Sequence, residues 1–326
     1  MSMAKYVLKR LVWAAFATFL IISVTFVLLE LSPDTGQARF AFQQAQAGGD
    51  VEQARQTYQQ LHGASGSLLD RYVDYVTNAV TLNWGWSETR NQPVIEAVSE
   101  AWVYSAMYGI PAIILAVVLG FGVGLYSATH RYTRTDYVAT FFAFFGVSVP
   151  NFWLAVMLIL VFSVQLGVLP TYFSTEVGVF TLQNLKQLIL PVLVVSTTAV
   201  AAQMRYSRAE AMEYVNSDFV KMARAKGAGE KRVLGKHIFR PALVPLSTIL
   251  VGDLLGIVFV SSYVTEVIFQ IPGLGLLSYE AIIQQDTPLV LATTLIPVAI
   301  TLIGNLLQDV LYPIIDPRIS YEENDG

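Results

Sequence analysis

Long apolar runs alternate with shorter polar segments along the 326-residue chain. A run of about 20 apolar residues is long enough to cross a hydrocarbon core of about 30 Å as a helix. The pattern predicts six spans, at Leu11–Leu31, Val103–Ala128, within Tyr137–Leu166, and at Leu188–Met204, Leu243–Thr265 and Leu289–Tyr312. Pro150 lies inside the third span and predicts a kink there, because proline removes a helical hydrogen bond.

The polar segments divide the chain into four parts. Residues 1–31 form an N-terminal span, which we expect to be retained because no small-residue cleavage site follows it. Residues 32–102 form an extracytoplasmic region, residues 103–312 a core of five spans with a cytoplasmic loop over 205–241, and residues 313–326 a tail. Within the extracytoplasmic region, Val51–Leu61 predicts a polar helix, and the stretch ending in Trp84 and Trp86 is typical of an interfacial helix.

The composition confirms a membrane protein and excludes several kinds of site. The chain is 54% hydrophobic and 13% charged, whereas soluble domains carry roughly 25% charged residues. It has no cysteine, and its three histidines are far apart in sequence. No phosphate-binding loop, nucleophile elbow or metal-binding motif is present. We therefore expect a chain that is not an enzyme, carries no cofactor or metal of its own and binds no nucleic acid.

The distribution of Lys and Arg predicts the orientation. If the N-terminus is cytoplasmic, the predicted inner segments hold 15 of the 20 Lys and Arg residues and the outer segments hold 5. Positive charge is retained on the cytoplasmic side of membrane proteins. The asymmetry predicts a multi-pass protein of the cell membrane with both termini in the cytoplasm, which also requires an even number of spans.

The most basic segment, Ser217–Pro241, has a pattern of its own. Ser217 is a suitable N-cap, and Gly227 stands where a helix would end. Between them Phe219, Met222 and Ala223 have the spacing of one apolar helix face. A second helical pattern follows Gly229 and is expected to end at Pro241. The pattern fits either an interfacial helix attracted to anionic lipid or a helix that docks into a groove on a partner protein.

Several segments resemble the dipeptide/oligopeptide (opine/nickel) family of ABC importer permeases, of the first-permease type. The basic stretch ARAKGAGEKRVLGKHIFRPALVP resembles the cytoplasmic loop of that family, although Lys221 stands where the general pattern has Glu. Further resemblances lie in NWGWSETRNQPVIEAV, SVPNFWLAVMLILVFSVQLGVLP, TEVIFQIPGLGLLSYEAIIQQDTPLV and LLQDVLYPIIDPRI. The resemblance covers most of the chain and implies an all-α type I permease fold with six transmembrane helices.

The resemblance also implies a mechanism. Two separate ATPase subunits, which bind ATP and Mg²⁺, would dock on the cytoplasmic loop, and a sister permease would complete the pathway. An extracytoplasmic binding protein would deliver the substrate. The coupling helix would extend over Asp218–Gly227, with Asp218, Phe219, Lys221, Met222, Ala223, Arg224, Ala225, Lys226 and Gly227 as its coupling residues. We expect Gly227→Val to abolish uptake while leaving membrane insertion intact.

The substrate implied by the resemblance is a di- or oligopeptide, and similar permeases import oligosaccharides, opines or nickel. One alternative function is a gradient-driven secondary transporter, but such a protein would require inverted repeats and several buried charges. A second alternative is a structural membrane protein whose basic loop only interacts with lipid.

A few further positions are candidates for the substrate pathway or its gate. Asp253 lies in the middle of a span, where a carboxylate faces either a cavity or a packing partner. Glu266 precedes a predicted turn at Pro272, Gly273, Leu274 and Gly275, and either shapes a gate or has a structural role. Pro150 and Asn151 mark either a break in the pathway or a plain kink. Arg205 and Arg208 lie at the inner end of the fourth span, and we expect them to fix the orientation of the span in the membrane rather than to bind a substrate.

Overall fold

The computed structural model describes residues 3–31, 41–42, 44–46, 48–62, 67–87, 89–178, 181–256, 263–284 and 286–315. This part of the chain is almost entirely helical, as predicted. The helices of its first half are α1 Met3–Glu30, α2 Val51–His62, α3 Leu68–Val80, α4 Val94–Leu115, α5 Gly122–Thr129, α6 Arg134–Ser148 and α7 Asn151–Leu158. Those of the second half are α8 Leu182–Val215, α9 Asp218–Ala225, α10 Glu230–Arg232, α11 Arg240–Leu255, α12 Tyr263–Phe269, α13 Leu274–Gln284 and α14 Thr287–Ile315.

Three π-helical segments continue these helices without a break. They follow α4, α7 and α10 and span Ala116–Phe121, Ile159–Gln165 and Val233–Phe239. The described residues also contain a two-stranded antiparallel sheet, β1 Trp86–Ser87 and β2 Gln92–Pro93, in which Trp86 pairs with Pro93.

Four of the described helical stretches are long and apolar enough to cross a membrane: Leu8–Leu28, Val94–Thr129, Leu182–Val215 and Thr287–Leu306. They correspond to the first, second, fourth and sixth predicted spans. Two bent helix pairs, α6 with α7 and α12 with α13, raise the number to six if each pair is one span. The fifth predicted span begins in α11, but residues 257–262 lie outside the described part of the chain.

The helix that contains the second predicted span begins at Val94, nine residues before the predicted start of the span at Val103. In its first turns Val94, Ala97 and Val98 are buried, while Glu96 and Glu100 are exposed. Such an amphipathic segment extends the helix beyond the apolar run that hydropathy detects.

The sequence predicts a kink within one helix at Pro150, but the structure has a larger change of direction there. Helices α6 and α7 meet at an angle of 104°. Val149 has the extended backbone that proline imposes on the preceding residue, with ψ 122°. Pro150 then serves as the N-cap of α7, with φ −62° and ψ 133°. The chain therefore has two separate helices here rather than one bent helix.

The prediction that Pro241 ends a helix is also wrong. The helix runs without interruption from α10 through Val233–Phe239 into α11, and Pro241 is the second residue of α11. A π-helical segment directly precedes the proline and widens the turn, which relieves the clash between its ring and the preceding carbonyl group.

The chain divides into two compact units, of which the first contains Glu100–Leu277. Its long helix α8 packs against α5, α6, α7 and α11. Glycines allow this close approach, since a Cβ atom at Gly124 would lie 2.6 Å from the Met204 carbonyl oxygen and one at Gly146 2.9 Å from the Ala201 Cβ. An apolar cluster joins α4, α7 and α8 to the turn after α12: Tyr108, Ala112, Ala155, Leu188, Leu190, Val194, Val195, Phe269 and Ile271.

The second compact unit contains Leu11–Ser99 and Ser278–Ala299. The polar helix predicted at Val51–Leu61 is present as α2. Helix α3 begins with a capping box in which Ser67 and Asp70 exchange hydrogen bonds of 2.8 and 3.3 Å. Tyr72 of α3 packs edge to face on Phe26 of α1 and shares a 2.6 Å hydrogen bond with Ser23. On its other side Leu69, Val73 and Val80 are exposed, so the interfacial role of this segment stays a prediction.

Candidate functional site

The predicted coupling helix is present as α9, a short helix between two turns. Ser217 has the extended backbone of an N-cap residue, with φ −67° and ψ 153°. Its hydroxyl group does not cap the helix but donates a 2.6 Å hydrogen bond to the Tyr214 carbonyl oxygen. The hydroxyl thus tightens the turn between α8 and α9.

Gly227 ends α9 in the way that the sequence predicts. Its φ of +80° lies in the left-handed region. Its amide donates to the Arg224 carbonyl oxygen at 2.9 Å, and the Ala228 amide donates to the Ala223 carbonyl oxygen at 3.1 Å. These two bonds form a Schellman motif, the usual end of a helix that stops at glycine. The C-terminal turn of α9 is therefore fixed by the backbone conformation of Gly227.

The predicted apolar residues of α9 are divided between the interior and the surface. Ala223 is buried, but Phe219 is 45% exposed and Met222 is 56% exposed. The side chain that anchors the helix is Val220, which is fully buried, 0% exposed, three residues before Ala223. Phe219 and Met222 therefore keep part of their apolar surface accessible, although the Phe219 ring also lies 6.3 Å from the Tyr214 ring.

Val220 fits into an apolar socket that three helical segments build. The residues of this coupling socket are Leu125 and Ala128 of α5, Ala211 of α8, and Val233 and Ile238 of the helix after Gly229. The second helical pattern predicted after Gly229 therefore has a defined role. It closes the socket beneath α9 and leaves the opposite face of α9 exposed.

Charged side chains also lie on the exposed surface of α9. Lys221 forms an ion pair with Asp218 at 3.1 Å, and Arg224 forms one with Glu230 at 3.2 Å. Lys226, at the C-cap, is exposed. The surface of α9 therefore combines two accessible apolar side chains with charged groups, and protein-docking surfaces also combine apolar and polar contacts.

Arg208, which was predicted to fix the orientation of its span, forms an ion pair with Asp136. Its Nε and Nη2 atoms donate to Oδ1 and Oδ2 of Asp136, at 3.0 and 3.2 Å. Arg205, one turn earlier, lies over the Phe144 ring, with its guanidinium carbon 5.7 Å from the ring centroid. Sequence reasoning did not identify Asp136 as the partner of Arg208, because the two residues lie 72 positions apart along the chain.

Glu266 is the centre of a buried hydrogen-bond network in the first compact unit. Its side chain is 0% exposed. Oε1 accepts bonds from the Ser105 hydroxyl at 2.7 Å and the Tyr108 hydroxyl at 2.8 Å. Oε2 accepts bonds from the amides of Gly275 and Leu276 at 2.7 and 2.9 Å. The carboxyl group thus caps the start of α13 and ties it to α4, which favours the structural role over the gate.

The turn predicted around Pro272 is the break between α12 and α13. The two helices meet at 86°, and Gln270 has a φ of +56°. A Cβ atom at Gly273 would overlap the Glu266 carboxyl group. Glycine is required at this position because the carboxyl group lies directly against the backbone. Leu274 and Gly275 begin the next helix rather than the turn.

The remaining predicted pathway residues lie apart from this network. Asn151 accepts a 2.8 Å hydrogen bond from the Thr198 hydroxyl of α8, next to the break at Pro150. The backbone of Asp253 belongs to α11, but its side chain lies outside the described part of the structure.

A second buried carboxylate, Asp286, escaped the sequence analysis. In the second compact unit its Oδ2 accepts bonds from the hydroxyl groups of Ser87 and Thr89, at 2.6 and 2.7 Å. Its Oδ1 accepts a 3.2 Å bond from the Leu289 amide, so it also caps α14. Arg90 forms an ion pair with Glu280 nearby. These contacts join two of the segments that carry the family resemblance. The presence of Ser87, Thr89 and Asp286 in those segments was the only sign in the sequence that they have a common role.

Among the residues that the structure describes, no group of His, Cys, Asp or Glu has the arrangement of a metal site. A small cavity of about 210 Å³ lies in the second compact unit, between α3 and the first turns of α14. Tyr75, Asn78 and Trp84 line it together with Leu291 and Leu295. None of the predicted site residues lines this cavity.

Comparison with known proteins identifies the family of the chain. The profile of the family described as binding-protein-dependent transport system inner membrane component matches residues 120–321, which include α9 and Glu266. The chain is 34% identical to the oligopeptide transport system permease protein AppB of Bacillus subtilis, over 98% of this chain and 100% of that protein.

Other relatives cover the chain equally well. The dipeptide transport system permease protein DppB of Lactococcus lactis is 33% identical over 97% of this chain and 99% of its own length. The oligopeptide transport system permease protein OppB of Haemophilus influenzae is 32% identical over 98% of this chain and 100% of its own length. The similarity therefore extends to the segments before residue 120.

Proposed function

Because the chain belongs to the binding-protein-dependent transport system inner membrane component family, a family of ABC importer permeases, we propose that it carries di- or oligopeptides across the cell membrane. The family membership establishes a multi-pass membrane protein with the type I permease fold, a transport component and not an enzyme. The peptide substrate is supported by the names of the relatives, which are oligopeptide and dipeptide permeases.

In this proposal α9 is the coupling helix, and its exposed face docks on a separate ATPase subunit that binds ATP and Mg²⁺. The observation that carries the assignment is the division of α9 into two faces. Val220 is buried in the coupling socket, whereas Phe219 and Met222 are exposed on the surface of the same helix. An interfacial helix would bury its apolar face in lipid, but such a helix needs no intramolecular socket that fixes its rotation.

The other partners follow from the same family. A sister permease would supply the second half of the pathway, and an extracytoplasmic binding protein would deliver the peptide. The ratio of 15 inner to 5 outer Lys and Arg residues supports cytoplasmic termini. The division into an N-terminal span at 1–31, an outer region at 32–102, a core at 103–312 and a tail at 313–326 belongs to this proposal.

The docking assignment is tested by purifying the importer through a tag on this chain. We expect the double variant Phe219→Ala/Met222→Ala to lose most of the ATPase subunit while it keeps the sister permease. A matched control is Leu69→Ala/Val73→Ala, which also removes two exposed apolar side chains but on α3. Full retention of the ATPase by the α9 variant would show that docking occurs elsewhere.

The substrate class is tested in proteoliposomes that contain the whole importer. With ATP inside and the binding protein outside, we expect uptake of a labelled tripeptide that a proton uncoupler does not inhibit. Uptake of an oligosaccharide, an opine or nickel in place of the peptide would overturn the peptide assignment but leave the ABC mechanism intact. Uptake that requires a proton gradient and no ATP would contradict the mechanism as well.

A further inference from the structure

Asp136 is a buried carboxylate at which three helices meet. It is the third residue of α6 and is only 3% exposed. Besides the two bonds from Arg208 of α8, it accepts one from the Tyr132 amide, at 3.0 Å, and one from the Ser127 hydroxyl of α5. Ser127 in turn accepts a 3.0 Å bond from the Arg208 Nε atom. Asp136, Arg208 and Ser127 therefore each contact the other two, and we call these three residues the Asp136–Arg208 clamp.

The approach of α5 to α8 explains why this clamp can form. A Cβ atom at Gly124 would lie 2.6 Å from the Met204 carbonyl oxygen and 3.0 Å from the Arg208 amide nitrogen. Without a side chain at Gly124 the two backbones come into contact, and Ser127, one turn later, reaches the guanidinium group. The loop before α6 also adapts to the clamp, since Tyr132 has a φ of +62° while its amide donates to Asp136.

The clamp adjoins the coupling socket on two helices. Leu125 and Ala128, on either side of Ser127, both pack around Val220 of α9. Ala211, three residues after Arg208, packs in the same cluster. The socket that holds α9 and the clamp that holds α6 are therefore built on the same turns of α5 and α8.

Helix α6 extends from the clamp to the break at Pro150. It runs from Arg134 to Ser148, and α7 then leaves at 104°. Near the far end of α6 a Cβ atom at Gly146 would lie 2.9 Å from the Ala201 Cβ of α8. Asp136 is thus the charged link at one end of α6, and the other end lies beside the break.

We propose that Asp136 and Arg208 are positioning residues that make α6 move together with α9 when the coupling helix is displaced. This inference rests on the proposed function of α9 as the site where the ATPase acts. Apolar contacts between helices are not directional and allow sliding, whereas a bidentate ion pair to a buried carboxylate fixes both distance and angle. Breaking such a pair leaves an uncompensated charge, so the two helices resist separation. Displacement of α9 therefore reaches the Pro150 break through α6.

The first test measures coupling rather than activity alone. Asp136→Asn, Arg208→Gln and Ser127→Ala are each purified with the partner subunits, and peptide uptake and ATP hydrolysis are measured in the same proteoliposomes. We expect the ATPase to be retained by Asp136→Asn and Arg208→Gln, but the peptide transported per ATP to fall by about fivefold or more, the lower range of site-to-site coupling. Ser127→Ala keeps the ion pair and should show a smaller loss.

If the clamp variants assemble and transport as much peptide per ATP hydrolysed as the unchanged chain, the clamp has only a structural role and the proposal is wrong. Arg208→Lys keeps the charge but not the bidentate geometry, and serves as the second variant if Asp136→Asn does not assemble. A different result would contradict the proposed function of α9 itself. In that case the Phe219→Ala/Met222→Ala variant retains the ATPase subunit, independently of the transport ratios measured for the clamp variants.

The second test observes the helices directly. The chain has no cysteine, so spin labels can be attached to Arg134→Cys at the start of α6 and Lys236→Cys in the helix that closes the socket, both exposed positions. We expect the distance between the labels to be the same with and without ATP in the otherwise unchanged chain. In Asp136→Asn it should broaden or shift on ATP binding, and an ATP-independent distance in that variant would contradict the clamp.

Discussion

At the scale of single residues, Gly227 shows how a backbone angle can matter more than available space. A Cβ atom at Gly227 would meet nothing within 4 Å, so the site has room for a side chain. Its φ of +80° is what excludes most residues. A left-handed conformation costs L-residues roughly 1–2 kcal/mol, and Asn tolerates it better than β-branched residues do.

We therefore expect Gly227→Val to abolish peptide uptake and Gly227→Asn to retain a substantial part of it. Both variants should reach the membrane in normal amounts, since the change affects one turn of an exposed loop. Uptake in whole cells and the amount of ATPase that co-purifies provide the measurement. Equal loss in both variants would indicate that the size of the side chain, and not the backbone conformation, is decisive.

The Glu266 network depends on charge as well as shape. Glu266→Gln keeps the volume of the side chain, but an amide group cannot accept hydrogen bonds through its nitrogen. With four donors converging on two oxygens, at least one donor loses its acceptor. We expect a loss of about 1–3 kcal/mol, the usual cost of an unsatisfied buried polar group, seen as a lower melting temperature in detergent.

Gly273→Ala tests the same network from the other side, because its methyl group would overlap the carboxyl group of Glu266. It should lower the melting temperature at least as much as Glu266→Gln. Gly252→Ala is the matched control, since a Cβ atom there would meet nothing within 4 Å. A Gly273→Ala variant as stable as the control would mean that the turn after α12 adjusts without cost.

At the scale of helices, local patterns predicted where elements lie but not how prolines act within them. Pro150 and Pro241 both follow long helical patterns, yet the first separates two helices and the second lies inside one. The difference arises from the residues around each proline. Pro241 follows a π-helical segment that accommodates the ring, whereas the chain at Val149 is already extended. Neither environment can be identified from hydropathy alone.

The same limit explains why the sequence did not show which face of α9 packs inside the chain. Phe219, Met222 and Ala223 have helical spacing, and so do Val220 and Ala223, so the pattern allowed two faces. The choice depends on the coupling socket, whose residues Leu125, Ala211 and Val233 come from distant parts of the chain. Sequence reasoning identified the ends of α9 because caps are local, but not its rotation, which is set by tertiary contacts.

Val220→Ala is the element-scale prediction. It removes two methyl groups from the socket, a loss of about 1–2 kcal/mol of burial energy. Phe219 and Met222 remain in place, but α9 is held less firmly. We expect less ATPase to co-purify and uptake to fall, by a smaller factor than in Phe219→Ala/Met222→Ala. Ala225→Gly, on the exposed side of the same helix, controls for a general loss of helicity, and a normal ATPase content in Val220→Ala would contradict the role of the socket.

At the scale of the whole molecule, the chain belongs to a family of membrane transport components. In the proposed function, α9 is the place where a separate ATPase subunit acts on it. Within the first compact unit the described contacts connect α9 to α5 and α8, and these to α6. If α9 lies on the cytoplasmic side, the contacts form a route from the ATPase to the membrane-spanning helices.

The coupling role of α9 requires that it lie on the cytoplasmic side, so the orientation of the chain in the membrane is the decisive prediction. The absence of cysteine allows single-cysteine variants to be compared without background labelling. With cytoplasmic termini, Lys236→Cys in the helix after Gly229 should resist a membrane-impermeant maleimide in intact cells and react only after permeabilisation. Glu52→Cys in α2 should react in intact cells, because residues 32–102 lie outside in the proposed topology. Both positions are exposed, so burial within the chain does not explain protection of either. The opposite pattern would place α9 away from any cytoplasmic ATPase and would contradict both its role as coupling helix and the clamp that depends on it.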